Sequence, residues 1–185
     1  EKDLKNLQHR LNRFMPPSIA VNRIVPVTSE AHARFDAMAR SYEYKIHQAK
    51  NPFLNQHSYF FEKELDVERM NAASQYLLGK QDFKCFSRSN TDVKTYLCEI
   101  TEARWEHNNT ELLFTITADR FLRNMVRAVV GTLLDIGMHN IDPAHLKEII
   151  ASRSRSEAGA SAPAHGLYLT AVKYPQKIFN LDGRR

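Results

Sequence analysis

One long apolar segment, residues 119–137, constrains the fold more than any other part of the chain. It reads DRFLRNMVRAVVGTLLDIG, and at roughly 100° per residue its apolar side chains form one stripe on a helix. The stripe consists of Leu122, Met125, Val126, Val129, Leu133 and Ile136. Such a helix has to be buried against another layer of the fold. Because Gly131 lowers helix stability, we expect another backbone or a ligand to approach closely there.

Three arginines at the start of this segment, Arg120, Arg123 and Arg127, share a separate wedge of the predicted helix. We expect Asp119 to be the N-cap residue. Arg120 and Arg123 are equally well explained as solvated first-turn residues, and Arg127 as a side chain that snorkels from the edge of the core. Arg127 is flanked by apolar residues, however, and needs a carboxylate, a carbonyl or a phosphate as partner. The wedge therefore predicts one wall of an anionic site.

Composition favours a folded protein that binds nucleic acid. The chain has 185 residues, 43% of them hydrophobic, and a net charge of +5, which allows one domain or one and a half with a proper core. Aromatic residues stand among basic ones around residues 34–45 and 83–88, a mixture that suits base stacking and phosphate contacts. The two cysteines, Cys85 and Cys98, have no metal-binding or redox spacing, so we expect reduced thiols in a cytoplasmic protein that crosses no membrane.

Periodicity and turn residues predict an α+β fold. Helices are predicted at residues 3–14, 66–78, 119–137 and 142–151. Strands are predicted at residues 19–25, 41–46, 58–61, 96–105, 111–118 and 166–172. We expect 41–46 to pair with 58–61 as a long hairpin, and 96–105 with 111–118 around the turn Asn108-Asn109. Asp66 is the expected N-cap of the second helix and Gly79 its C-terminal glycine, whereas residues 153–156 suggest a mobile loop.

The sequence carries no GxSxG, Walker A, GxGxxG or HExxH motif, so serine hydrolase, nucleotide-binding and zinc hydrolase functions have no support. A different segment is informative. His32-Ala33-Arg34-Phe35 forms a basic loop that leads into a strand with Tyr42 and Tyr44 on one face. One tyrosine could stack on an extruded base while the other fills the core. Periodicity does not decide which.

Four segments, in order, resemble the tRNA pseudouridine synthase A family. The segment 32–44, HARFDAMARSYEY, is similar to the family's H-A-R-F-S-A-x-x-R-x-Y-x-Y. The segment 79–86, GKQDFKCF, is similar to G-x-x-D-F-x-x-F. The segment that begins FLRNMVRAVVG at Phe121 is similar to F-x-x-x-M-V-R-x-x-V-G, and APAHGLYL at 162–169 is similar to A-P-A-x-G-L-Y-L. Together they extend over nearly the whole chain.

The resemblance implies isomerisation of uridine to pseudouridine in the anticodon stem-loop of tRNA, without a cofactor or a metal. An aspartate of the family attacks the target nucleotide, and the uracil detaches, turns and reattaches through carbon. By this resemblance Tyr42 stacks on the target base and assists proton removal from C5, and Arg127 pairs with the aspartate. Arg34, Arg40 and Arg123 are the expected contacts to the RNA backbone. The family also implies a homodimer with tRNA spanning both subunits, and a mixed, largely antiparallel sheet backed by helices.

The family's aspartate lies in an upstream G-R-T-D-A-G segment, which this sequence does not contain. Asp36 occupies a serine position of the family motif, Asp92 is followed by Val-Lys rather than Ala-Gly, and Asp119 is explained as a cap. We therefore expect a fragment that is inactive alone, with a sheet that has lost its upstream strands. Residues 1–28 would remain from an N-terminal subdomain, 29–175 would form the catalytic and RNA-binding domain, and 176–185 a tail.

Two other functions fit the same pattern of elements. A non-catalytic RNA-binding α+β module needs only basic strands with exposed aromatic residues, although no RNP1-like stretch occurs. A structural or dimerisation domain would leave Arg127 without a functional partner.

Overall fold

A computed structural model describes residues 2–88, 93–108 and 111–179. The described residues form two compact units, one within 2–37 and 174–179 and the other within 38–173. In the first unit, helix α1 spans Lys2–Phe14 as predicted. The predicted strand at 19–25 is wrong, because these residues form no sheet. Side chains of α1 bind this segment instead: the Asn12 amide both donates to the carbonyl oxygen of Val21 and accepts from its N–H.

The second unit is a six-stranded sheet backed by helices, which confirms the α+β class and its mixed, largely antiparallel sheet. The strands are β1 (Ala39–His47), β2 (Tyr59–Phe60), β3 (Gly79–Asp82), β4 (Leu97–Asn108), β5 (Glu111–Ala118) and β6 (Leu167–Lys173). The α-helices are α2 (Val67–Ser74), α3 (Met125–Gly137) and α4 (Leu146–Ser152). Short 3-10 turns follow α2 at Gln75–Leu77 and precede α4 at Pro143–His145.

Strand β1 is an interior strand of the sheet and is paired along both edges. One edge pairs antiparallel with β5, from Arg40 opposite Ala118 to His47 opposite Glu111. The other edge is shared between β6, which pairs antiparallel with the first part of β1, and β2, which pairs with its last two residues. Strand β1 therefore joins chain segments that are more than a hundred residues apart.

The predicted hairpin between 41–46 and 58–61 is wrong, because β2 runs parallel to β1, with Ile46 opposite Tyr59. The connection carries the chain back so that β2 enters from the same end as β1, which a tight hairpin cannot do. The predicted hairpin of β4 and β5 is confirmed, with Trp105 opposite Phe114 and Asn108 opposite Glu111. Asn109 of its predicted turn lies outside the described residues.

Alternation along the strands separates a core face from a polar face. On β1, Tyr44 and Ile46 are fully buried, and on β4 the buried residues Cys98, Ile100 and Ala103 alternate with exposed ones. The helices cover the core face. Asp66 is the N-cap of α2, as predicted, and accepts from Arg69 N–H at 2.9 Å. Gly79 has a φ of +90°, which only glycine adopts readily, and it starts β3 directly after the helical segment.

Helix α3 is the central helix of the core, but it begins later than predicted. Its N-cap is Asn124, in the left-handed conformation with φ 68°, and not Asp119. The Asp119 side chain accepts instead from the backbone N–H groups of Glu99 and Arg120. Arg120 and Arg123 therefore precede the helix, and the predicted wedge of three helical arginines is wrong. All six residues of the predicted apolar stripe are buried.

Gly131 confirms the predicted close approach of another backbone. A Cβ at this position would overlap the carbonyl oxygen of Ala160, which lies in the loop before β6. This loop, residues 153–163, has no regular secondary structure and packs on α3 through its small residues. Gly159 donates from its N–H to Oγ1 of Thr132, the residue after Gly131, at 2.8 Å. The two glycines let helix and loop backbone lie in direct contact.

Gly131→Ala is expected to lower the free energy of unfolding by about 1–3 kcal/mol, because the added methyl group has to displace the 160 carbonyl. At an unobstructed helix position, a change from glycine to alanine raises the free energy of unfolding by about 0.5–1 kcal/mol. The sign of the change therefore shows whether the loop backbone lies against Gly131. Urea unfolding measures it. Glu68→Ala, at an exposed position of α2, is the control and should stay within about 0.5 kcal/mol of the unchanged chain. A stability gain for Gly131→Ala would contradict the close packing of helix and loop.

Both cysteines are buried free thiols, and burial raises the pKa of Cys85 to about 12 and that of Cys98 to about 11, from an ordinary 9.0. The folded protein therefore holds these protons more tightly than the unfolded chain. The stability that follows is fully present below pH 9 and is lost as the pH rises toward 11 and 12. Urea unfolding from about pH 8 to 11 should show this fall, and Cys85→Ala should reduce it. Native thiols that react rapidly with a thiol reagent at about pH 8 would contradict it.

Candidate RNA-modifying site

The candidate site lies in the second unit, where β1, the start of α3 and the loop 153–163 meet. Arg127, Tyr42 and Tyr44 are the sequence-predicted residues that the structure brings to this place. Arg40 lies two residues before Tyr42 on the same face of β1. Arg34 belongs to the first unit, and Arg123 is an exposed residue directly before α3.

Arg127 is held in place by one residue of the loop. Its Nε donates to the carbonyl oxygen of Ala162 at 2.5 Å, and its own carbonyl oxygen accepts from the Ala162 N–H at 3.0 Å. Arg127 is half-buried, whereas Ala162 is 4% exposed. Within the described ranges, no carboxylate pairs with Arg127 and no acceptor binds its two terminal nitrogens. A guanidinium fixed by Nε presents the geometry that binds a carboxylate with two parallel hydrogen bonds.

The structure separates the two tyrosines that the sequence left undecided. Tyr44 is fully buried, and its hydroxyl donates to the carbonyl oxygen of Pro163 at 2.7 Å. Burial raises the pKa of Tyr44 far above its ordinary value and Tyr59 adds to this, while the positive charge of Arg127 opposes it. Gly166 passes directly over the Tyr44 ring, where a Cβ would clash. Tyr44 is therefore part of the core, as expected for one member of the pair.

Tyr42 keeps a half-buried ring at the rim of the core. The Phe121 ring packs against it in a T-shaped arrangement, with ring centroids 5.1 Å apart. The pairing of β1 with β6 shifts register between Ser41 and Tyr42, because Thr170 is an extra residue on β6. Leu169, which is 53% exposed, lies opposite Tyr42 across this irregular pairing.

Sequence reasoning missed the residues that fix this geometry. Phe121, Leu169 and the carbonyl groups of Ala162 and Pro163 each contact or flank a predicted residue. The family-like segments contain all four, which was the available signal. The roles of Ala162 and Pro163 could not be predicted, because these residues act through their backbone carbonyl groups. A sequence motif specifies side chains and not the positions of backbone atoms.

Arg40, the backbone of Arg123 and two of the three aspartates considered as substitutes have structural partners. Arg40 donates to the carbonyl oxygen of Asp119 at 2.8 Å, and the carbonyl oxygen of Arg123 accepts from Arg88 N–H. Asp36 accepts from His32 N–H at 2.7 Å and thereby closes the basic loop of the first unit. Asp92 lies outside the described residues. The carboxylates of Asp36 and Asp119 thus bind nearby backbone N–H groups.

Metal-ligating side chains are scattered over the fold. Among the residues that the structure describes, no cluster of three or more His, Cys, Asp or Glu side chains could hold a metal ion. Over the same residues, every helix is too short or too polar to cross a bilayer.

A half-buried aromatic ring on β1 and an anchored guanidinium on α3, in a basic α+β protein, are features expected of a protein that acts on RNA bases. Comparison with known proteins makes this specific. The family model for tRNA pseudouridine synthase matches residues 73–175. The chain is 45% identical over 186 residues to tRNA pseudouridine synthase A of Bacteroides thetaiotaomicron, covering 99% of this chain and 69% of the relative.

Two other relatives carry the same name as the Bacteroides thetaiotaomicron protein. The proteins of the same name from Porphyromonas gingivalis and Parabacteroides distasonis are 48% and 46% identical, over 94% and 97% of this chain and 69% and 71% of their own length. The chain belongs to the tRNA pseudouridine synthase family, whose members isomerise uridine to pseudouridine in tRNA. The predicted resemblance is confirmed, and an enzyme family now takes precedence over the non-catalytic RNA-binding module.

Tyr44→Phe is expected to lower the free energy of unfolding by about 1–2 kcal/mol, because it leaves the Pro163 carbonyl without its donor. Tyr42→Phe is the matched control, two residues away on the same strand face. The Tyr42 hydroxyl has no hydrogen-bond partner among the residues described, so its loss should change stability by less than about 0.5 kcal/mol. Thermal or urea unfolding of the two variants tests the difference, and equal losses would contradict the separate roles.

Proposed function

We propose that this chain supplies the Tyr42 and Arg127 side of a pseudouridine synthase site that acts on uridines in the anticodon stem-loop of tRNA. The observation that carries the proposal is the Arg127 guanidinium, which Ala162 anchors through Nε and which no carboxylate of the described chain engages. Because the two terminal nitrogens of this half-buried cation have no acceptor in the described chain, this position suits the nucleophilic aspartate. The family carries that aspartate in a segment upstream of the one that resembles residues 32–44.

Arg127 favours the ionised, nucleophilic form of that aspartate. A positive charge within about 4–6 Å lowers the pKa of a carboxyl group by roughly 1–3 units. Anchoring through Nε and Ala162 means that little side-chain entropy is lost when the carboxylate binds the two terminal nitrogens. The same anchor orients the aspartate towards the substrate.

Tyr42 holds the target base. A uridine in a stem-loop has to leave its stack to be modified, and an aromatic ring replaces the stacking it loses, at about 1–3 kcal/mol per base. Phe121 packs at nearly a right angle to the Tyr42 ring and supports it from one side. The exposed Leu169 lies opposite and supplies an apolar neighbour for the uracil.

The reaction balances without a redox agent. The aspartate attacks the target nucleotide, the bond between N1 of uracil and C1′ of ribose breaks, and the uracil turns. C5 then bonds to C1′, and the bond between the aspartate and the nucleotide breaks, which frees the carboxylate. The C5 proton leaves with assistance at Tyr42, and N1 gains a proton. The product is an isomer of the substrate, so neither a cofactor nor a metal enters the balance.

Basic residues of both units are assigned to the RNA backbone. We assign phosphate contacts to Arg34, Arg40 and Arg123, and the net charge of +5 supports a strong dependence of affinity on salt. The proposal includes a homodimer with tRNA spanning two subunits and a cytoplasmic location, both as the family resemblance implies. Without the upstream aspartate the chain is expected to be inactive, because its site then lacks the nucleophile.

Release of tritium from C5-labelled uridine in tRNA tests the proposal on this chain alone and on the chain extended upstream through the aspartate segment. Turnover is expected only in the extended protein. There, Arg127→Gln should lower kcat roughly 100- to 1,000-fold, because an electrostatic partner of the reacting group is lost. Tyr42→Leu should weaken tRNA binding by roughly tenfold as well as slow turnover.

Arg104→Gln is the control, since Arg104 lies on the polar face of β4 and pairs with Glu102 and Glu106. It should leave turnover unchanged. Turnover by the present chain alone, abolished by Asp36→Asn or Asp119→Asn, would overturn the proposal. Binding of tRNA by the extended protein without any turnover would favour the RNA-binding module.

A further inference from the structure

The position of Arg127 depends on the loop 153–163, because Ala162 is the residue that holds its Nε and its carbonyl group. This loop contains no helix or strand and buries only small side chains, those of Ala158 and Ala162. Apolar contacts are non-directional and do not by themselves fix where a carbonyl oxygen lies. Hydrogen bonds therefore have to fix the loop.

Arg155 belongs to the loop and donates hydrogen bonds to three of its other residues. Its Nη1 donates to the carbonyl oxygens of Ala158 at 3.1 Å and Gly159 at 3.0 Å, and its Nη2 donates to Oγ of Ser161 at 3.0 Å. One planar guanidinium thus connects three of the four residues that precede Ala162. The guanidinium suits this role because its five N–H donors lie in one plane and point in fixed directions.

Ser161 links this arrangement to the helix that carries Arg127. Its Oγ accepts a second hydrogen bond, at 2.6 Å, from Nδ2 of Asn124. Asn124 is the N-cap residue of α3 in the left-handed conformation, three residues before Arg127. The hydrogen bonds therefore run from Arg155 through Ser161 to the start of the helix, and the neighbouring Ala162 binds Arg127.

The surroundings of Arg155 distinguish it from a surface arginine. It is half-buried, and no carboxylate in the described part of the chain pairs with it, so carbonyl and hydroxyl oxygens of the loop solvate its charge. Arg153, two residues earlier, is exposed and pairs with Asp82 at 3.2 Å. The two arginines of one short segment thus have different partners.

We propose that Arg155 is a positioning residue for pseudouridine formation, which fixes the loop so that Ala162 holds the Arg127 guanidinium against the nucleophilic aspartate. The catalytic consequence rests on the proposed function. The structural part of the proposal is that Arg155 stabilises the hydrogen bond between Arg127 and Ala162, and it rests on the contacts described above. A displacement of about 1 Å in such a group is enough to slow an enzyme by roughly 100-fold.

The first experiment uses the present chain and needs no turnover. Hydrogen exchange at the Arg127 Nε–H, followed by nitrogen-resolved NMR, reports the bond to Ala162 directly. Arg155→Gln is expected to speed this exchange by roughly tenfold, the loss of about one net hydrogen bond. Arg153→Gln is the matched control and should leave the exchange unchanged. Unchanged exchange in Arg155→Gln would overturn the proposal.

Folding of the variants is secured by an independent contact, because Gly159 also binds Oγ1 of Thr132 on α3. Two milder variants provide a graded series. Ser161→Ala removes only the shared hydroxyl, and Asn124→Gly keeps the left-handed backbone but removes the amide donor. Each should speed the Arg127 exchange by less than Arg155→Gln does, and a faster exchange in either would contradict the central place of Arg155.

The second experiment measures kcat, KM and tRNA affinity in the protein extended upstream through the aspartate segment. Arg155→Gln should lower kcat roughly 10- to 100-fold with KM and Kd within about twofold, since the residue acts on the reacting groups and touches no RNA. Weaker tRNA binding, with a salt slope smaller by about one ion, would identify Arg155 as a phosphate contact and overturn the proposal. An inactive extended protein would overturn the proposed function, while the exchange measurement would still decide the positioning.

Discussion

The direct contact between the backbone of α3 and the loop before β6 is the constraint on which the site depends. Gly131 lets the Ala160 carbonyl lie where a side chain would otherwise stand, and Gly159 reaches Oγ1 of Thr132. Only this close approach brings the carbonyl of Ala162 to Nε of Arg127, one helical turn before the glycine. A wider separation would leave a half-buried guanidinium unanchored, at a cost of the order of an unmade hydrogen bond to a charge, about 1.5–3 kcal/mol.

Strand β1 connects this helical contact to the rest of the fold. Its inner face carries Tyr44, whose hydroxyl binds Pro163 next to the Arg127 anchor, and Tyr42, whose ring stays at the rim. Its two edges collect β5, β6 and β2 from distant parts of the chain. Tyr44 of β1 and Arg127 of α3 are thus held by neighbouring residues of one loop, Pro163 and Ala162. That arrangement explains how motifs far apart in the sequence come to one place.

Local physics accounts for the elements that the sequence predicted correctly. The apolar stripe of α3, the alternation of β4 and β5, and the Asp66 cap all depend on residues within one or two turns of one another. The wrong predictions concern segments whose hydrogen-bond partners lie far away in the sequence. Residues 19–25 look like a strand but bind side chains of α1, and β2 could not form a hairpin with β1 because β6 occupies most of that edge. Asp119 has a side chain typical of N-cap residues, but its carboxylate accepts a hydrogen bond from the backbone N–H of Glu99 in β4. Asn124 is the N-cap of α3 instead.

The sequence by itself determined the class of fold, the burial of α3, the need for a close approach at Gly131 and the family, because periodicity, residue size and ordered motifs are properties of the chain alone. Only the tertiary structure decided between Tyr42 and Tyr44, since both have the same periodicity and only packing by Gly166 and Pro163 makes one of them core. It also decided the partners of Arg127 and Arg155. Their acceptors are mostly backbone carbonyls of an irregular loop, and every residue type has such a carbonyl, so its direction is set by the fold and cannot be read from the letters.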